Sequence, residues 1–122
     1  MHINTSHFPR VWMSSVGIPN WESKLDSLLQ QKERFVLLTR EMPGRGQNFD
    51  KEDRKRFARW LKCNREQLKL MCAGSIVVVT NPVVALSLRA TLVPFAKAFG
   101  YPVRAVTESS VDDEVHNLLA GV

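Results

Sequence analysis

Cysteine and histidine are scarce in this chain, which has two of the first and three of the second among 122 residues. Neither is placed for chemistry. His2 and His7 fall near the beginning and His116 in a late helical pattern, so no spacing sets a histidine beside Cys63 or Cys72 and a carboxylate, as nucleophilic catalysis requires. No run of His, Cys, Asp or Glu has the spacing of zinc ligands, and no cofactor motif is present. The sequence therefore predicts no catalytic, metal-binding or cofactor-binding residues, and a non-enzymatic protein. Cys63 and Cys72, nine residues apart on one predicted helix, are too distant for a disulfide, which points to reduced thiols. The opening MHINTSHFPR has neither the basic nor the apolar segment of a signal peptide, so a cytoplasmic location is expected. Gly/Ser tracts, proline-rich stretches and internal repeats are also missing, and residues 1–122 read as one domain.

What is present is organised around a strand, a helix and a second strand between Met71 and Ser109. Ile76 to Val79 is a continuous β-branched run, the pattern of a strand buried on both faces. Asn81-Pro82 supplies an N-cap and a first-turn proline, and Gly100 ends the helix before the strand Val103 to Val106. From Leu70 to Leu88 the chain is uncharged, long enough to suggest a membrane span. The polar break Thr80-Asn81-Pro82 argues instead for a strand followed by a helix, with no span.

The flanking segments repeat this alternation. Residues 10–16 have strand content, with Val11 and Met13 on one face and Trp12 on the other, and residues 2–4 suit a short preceding strand. Asn20 is placed to cap a helix from Trp21 to Lys32 with Trp21, Leu25, Leu28 and Leu29 on one side. Phe35 to Thr39 is a second compact apolar strand. A loop from Arg40 to Phe49 precedes a long helix, from Lys51 to Leu70, capped by Asp50 and faced by Phe57, Trp60, Leu61, Asn64, Leu68 and Met71. Ser110 and Asp113 have the spacing of a capping box before the stripe Val111, Val115, Leu118, Leu119. The order β-α-β-α-β-α-β-α predicts a single α/β domain, with a four- to five-stranded, mostly parallel sheet flanked by helices.

The progression FPRVWMSSV, RFVLLTR, the aromatic-and-basic helix ending in a small-residue strand start at Cys72-Ala73-Gly74, the Asn81-Pro82 turn and YPVRAVTESS resembles the SpoIIAA-like, or STAS/SEC14-type, small domains of bacteria. The resemblance implies a small sheet flanked by helices, used in protein regulation or, in the SEC14-like branch, associated with apolar ligands. STAS regulators of sigma factors carry a phosphorylated serine at the start of the helix after the strand matching Phe35 to Thr39. The corresponding loop here, EMPGRGQNFDKED, has no Ser or Thr, so no phosphosite is carried over.

Two surfaces stand out. Between Pro82 and Phe99 only Arg89 and Lys97 are charged, and apolar residues cover more than one face of the helix. Leu86, Leu88, Leu92, Val93, Phe95 and Phe99 are the candidate interaction surface or apolar groove, with Pro94 expected to kink or end the helix and open a crevice beside Phe95 and Phe99. Three accounts of the excess apolar surface stand: a homodimer or another protein, an apolar small molecule or lipid, and cover by the terminal helix within the monomer. The second surface is cationic. The net charge of +5 and the basic side of the long helix suit an anion or acidic partner, with Arg40 and Arg45 beside the Gly44-x-Gly46 loop and Lys55 and Arg59 on the helix as contacts. That loop lacks the third glycine of a dinucleotide fingerprint and the Lys-Ser/Thr of a P-loop. The helix interleaves Glu52, Asp53 and Glu66 and offers no aromatic platform for stacking bases, which argues against nucleic acid.

Overall fold

A computed structural model of the chain describes residues 2–14, 21–31, 33–40 and 51–120. The elements are β1 (His2–His7), β2 (Arg10–Ser14), α1 (Trp21–Gln30), β3 (Phe35–Thr39), α2 (Lys51–Met71), β4 (Cys72–Val79), α3 (Pro82–Phe99), β5 (Val103–Thr107) and α4 (Val111–Leu119), with a 3-10 turn over Glu108–Ser110. The expected α/β domain is present, as a mixed five-stranded sheet in the order β1-β2-β3-β4-β5. The β1 strand is antiparallel to β2, and every other neighbouring pair is parallel. The expected caps at Asn20 and Asp50, and the glycine loop with Arg45, lie outside the described residues.

Each parallel crossover steps one strand further in the same direction. A right-handed crossover then places its helix on the same side every time. The core records this. On one face Trp21, Leu25, Leu28 and Leu29 of α1 and Trp60 and Leu68 of α2 pack on Ile3, Val11, Phe35 and Leu37. Leu88 and Leu92 of α3 continue that layer over Val77. Val111, Val115 and Leu118 of α4 cover the opposite face, against Val36, Leu38, Ala73, Ile76 and Val78. Alternation along β3 sends Phe35 and Leu37 one way and Val36 and Leu38 the other, so an unbroken apolar run is what a strand between two layers needs. In β2, Val11 and Met13 face α1 and α2 while Trp12 faces α4, as the pattern of residues 10–16 predicts.

The β4 strand begins at Cys72, at the small-residue start Cys72-Ala73-Gly74 and four residues before the β-branched run. The two cysteines are therefore not on one helix; both are free, Cys63 exposed on α2 and Cys72 buried at the start of β4. The register is irregular at this start. Phe35 pairs with Cys72 but Val36 pairs with Gly74, so Ala73 is an extra residue, a β-bulge. Ala73 and Gly74 consequently both lie on the α4 side. A Cβ at Gly74 would come within 3.0 Å of both Leu118 methyls and of the Pro102 carbonyl oxygen. That carbonyl is fixed, because it accepts the Ser75 N–H at 2.9 Å.

The helix α4 is held by ion pairs as well as by its apolar stripe. Arg10 Nη2 lies 2.6 Å from Asp112 Oδ1, and Arg40 Nη2 lies 2.6 Å from Glu108 Oε1. Arg104 Nη1 lies 3.0 Å from Glu114 Oε1, an atom shielded from solvent, in Coulombic contact without good hydrogen-bond alignment. Asp112, Asp113 and Glu114 also complement the helix dipole in the first turn. The capping box expected at Ser110 and Asp113 is not formed. Ser110 is already near helical geometry (φ −101°, ψ −2°) and makes no side-chain cap, because the preceding 3-10 turn leads directly into α4.

Gly74→Ala is expected to lower stability by about 1–3 kcal/mol through overpacking against Leu118 and a fixed carbonyl. A urea titration checks this, with the midpoint falling at unchanged slope.

Candidate functional site

The α3 helix is set by its ends. Asn81 Oδ1 accepts the Val84 N–H at 2.9 Å, Pro82 occupies the first turn, and Gly100 closes the helix at φ 81°, the left-handed conformation that favours glycine. Between those ends the helix continues through Pro94 to Phe99, so the expected break does not occur. Pro94 and Ala90 are both exposed, which leaves the carbonyl deprived of its donor facing water, where the loss is mild.

The six residues of the predicted apolar surface separate into two sets. Leu88 and Leu92 are buried against the sheet and belong to the core. Phe95 and Phe99 are half-buried and turn inward. Their ring centroids are 6.2 Å apart, and Phe99 stacks on Tyr101 at 5.5 Å, so the space expected for a crevice is filled by aromatic packing. Of the six, Leu86 and Val93 alone face solvent, and Val83, one of the other apolar residues of the helix, joins them. Val83 is 73% exposed, Leu86 63% and Val93 50%. With Ala90 and Lys97 they form the stripe 83-86-90-93-97, spaced alternately by three and four residues like the seam of a coiled coil. Only Leu88 and Leu92 of the eighteen residues of α3 are buried. The terminal helix α4 lies on the other face of the sheet, so it does not cover this surface. By length and composition alone α3 would pass for a membrane span, with mean hydropathy 1.3, although here it is the crossover between two paired strands.

The cationic candidates also separate. Arg40 is on the α4 side of the sheet, its guanidinium 4.2 Å from the centroid of the Trp12 ring and paired with Glu108. Lys55 and Arg59 are on α2, in the opposite layer. They are exposed and continue as 55-59-62-66-69, again in steps of four and three. Lys55 lies 3.9 Å from Glu52, and among the described residues Arg59, Lys62 and Lys69 make no ion pair. The inner edges of α2 are engaged. Arg56 pairs with Glu22 of α1, Trp60 Nε1 donates to Asp26 at 2.9 Å, and Arg65 donates to the carbonyls of Ala98 and Lys97 at 3.0 and 3.2 Å. The last two bonds tie the carboxyl-terminal half of α2 to the end of α3.

Among the described residues a polar cluster lies in the interior, at Cys72, Ser75 and Tyr101. Cys72 Sγ donates to the Gly74 carbonyl at 3.3 Å, and Ser75 Oγ donates to the Tyr101 hydroxyl at 3.0 Å. Burial pushes the Cys72 thiol up from an ordinary value of 9.0 to about 12 and raises the Tyr101 phenol as well. Cys72 is therefore a protonated core residue at neutral pH. A cavity of about 560 Å³ opens elsewhere, beside His7, Phe8, Arg10 and Trp12, but its arginine is already turned to Asp112. Among the described residues no three of His, Cys, Asp and Glu gather as metal ligands.

No family model, curated protein or solved structure matches the chain.

Because the folded chain holds Cys72 neutral while an unfolded chain ionises it near pH 9.0, its contribution is complete below that pH and is lost as pH rises toward about 12. Urea midpoints for a Cys63→Ser background are expected to fall above pH about 9, and Cys72→Ala is expected to make that fall shallower, with Tyr101 supplying the remainder.

Proposed function

We propose that this chain is a non-enzymatic regulatory or protein-interaction module of the bacterial cytoplasm, working through the outward face of α3. The observation that carries the reading is the solvent-facing series Val83, Leu86, Ala90, Val93, which the core does not require and α4 does not cover. A regular apolar seam left outside a complete core is a liability for solubility unless something binds it. The partner is another protein or a second copy of the chain. The resemblance to SpoIIAA-like and STAS domains supports a regulatory role, and the sequential strand order with one antiparallel edge strand agrees with the small flanked sheet that the resemblance implies. The segment EMPGRGQNFDKED after β3 offers no serine or threonine for a phosphorylation switch, so regulation would act through binding alone. The inward turn of Phe95 and Phe99 favours this reading over an apolar-ligand groove.

Leu86→Asp combined with Val93→Asp is expected to leave thermal stability nearly unchanged, since exposed sites tolerate substitution to within about 0.5 kcal/mol. The same variant is expected to lose a stoichiometric partner that wild type retains when purified under mild conditions from its native cell. A co-purifying set that is identical for the two proteins, together with identical light scattering, would sink the reading.

A further inference from the structure

The unexplained half of the surface is the cationic stripe on α2, and it runs beside the apolar one. The helices α2 and α3 connect successive parallel strands, so they run in the same direction in one layer. Arg65 joins them through the Lys97 and Ala98 carbonyls. The outward positions of α2 are Lys55, Arg59, Lys62 and Lys69, interrupted only by Glu66, and those of α3 are Val83, Leu86, Ala90 and Val93. Both series step by threes and fours, the spacing at which a third helix meets each of them once per turn.

Charge is divided accordingly. The α2 and α3 helices carry ten Lys or Arg and three Asp or Glu, leaving seven basic and nine acidic residues in the rest of the chain. On the opposite face Glu108, Asp112 and Glu114 pair with Arg40, Arg10 and Arg104, which leaves Asp113 as the acid of α4 outside these pairs. No acid is present in α3.

From this juxtaposition, and resting on the reading of α3 as the docking face, we infer that the occupant is an amphipathic helix of another protein, with its apolar side on the α3 stripe and its acidic flank on the α2 stripe. The pairing is a helix-on-helix mode in which the apolar seam gives affinity and the charges set orientation and partner choice. A second copy is the poorer occupant. A two-fold contact that set the two α2 helices face to face would bring Lys55, Arg59, Lys62 and Lys69 of both copies, with Glu66 the one acid among them, and Arg89 and Lys97 of each, toward one another. Nucleic acid would meet the α2 cations but leave the apolar stripe uncovered.

The test uses synthetic helical peptides of about 21 residues with Leu at the seam positions and either Glu or Lys at the flanking positions, read by fluorescence anisotropy at two salt concentrations. The Glu peptide is expected to bind wild type, with affinity falling at high salt, and to bind the Lys55→Glu/Arg59→Glu/Lys62→Glu variant about tenfold or more weakly. The Lys peptide is expected to fail on wild type and to bind that charge-reversed variant, a rescue that a general loss of structure would not produce. Leu86→Asp is expected to weaken the matched pairs in both cases. Equal binding of the two peptides to wild type, or binding of neither, overturns the inference. So does Leu86-dependent dimerisation in light scattering, or Leu86-dependent sedimentation with phosphatidylcholine vesicles carrying about 30% phosphatidylserine, because either names a different occupant. Those last results would leave α3 as a docking face. Peptide binding that ignores Leu86 and Val93 would remove that reading as well.

Discussion

The handedness of the strand-to-strand crossover governs this molecule. Three successive crossovers in one direction give no choice about where α1, α2 and α3 go, and the whole of one sheet face is assigned to them. The other face is left to the end of the chain, where a helix of nine residues covers β3 and β4. The sheet is consequently buried unevenly. A helix in the outer position of a three-helix layer has a neighbour on one side only, and α3 holds that position, since it follows the last interior strand. Its surplus of valine and leucine is therefore displayed by topology, whatever the local propensity of the residues.

The same topology explains what could be read from the sequence and what could not. The element order was legible because each segment obeys a local rule. Continuous β-branched runs mark strands between two layers, Asn81-Pro82 and Gly100 bracket α3, and Trp21, Leu25, Leu28 and Leu29 repeat at helical spacing. The small residues Cys72, Ala73 and Gly74 marked the start of β4, but they are too small to display alternation, so the bulge that reverses its phase was hidden. The surface of α3 was visible only as an excess. Hydropathy counts apolar residues around a helix without saying which side meets the sheet, so Leu88 and Leu92 could not be separated from Leu86 and Val93. Val83 belonged to the same undivided excess, although its spacing to Leu86, Ala90 and Val93 is that of a second seam. Arg40 looked like a companion of Lys55 and Arg59 because all three are basic and near one loop. The sheet lies between them, and Trp12 and Glu108 engage the first.

Charge follows the layers as closely as apolarity does. On the α4 side, cations and acids meet in pairs that fasten a short helix to β2, β3 and β5. Individually such exposed pairs contribute about 0–1 kcal/mol, so the apolar triad of Val111, Val115 and Leu118 carries most of the attachment and the pairs mainly set its orientation. On the α2 side, the cations face outward and the contacts of the helix with its neighbours use other positions, Arg56 and Trp60 toward α1 and Arg65 toward α3. The domain thus has a closed electrostatic face and an open one, and the apolar seam of α3 lies on the open one.

The bulge at Ala73 acts as a phase switch for the strand that follows. Upstream of it, even-numbered residues such as Cys72 face the three-helix layer; downstream, odd-numbered ones such as Val77 do. Without the extra residue, Ile76 and Val78 would point toward α3 and Val77 toward α4, turning every side chain beyond the bulge to the wrong layer. A gain or loss of one residue between Cys72 and Ser75 is therefore equivalent to turning the central strand over, whereas a change of two would keep both layers in phase. Spacing in this strand is constrained by parity, a requirement that no single side chain in it reveals.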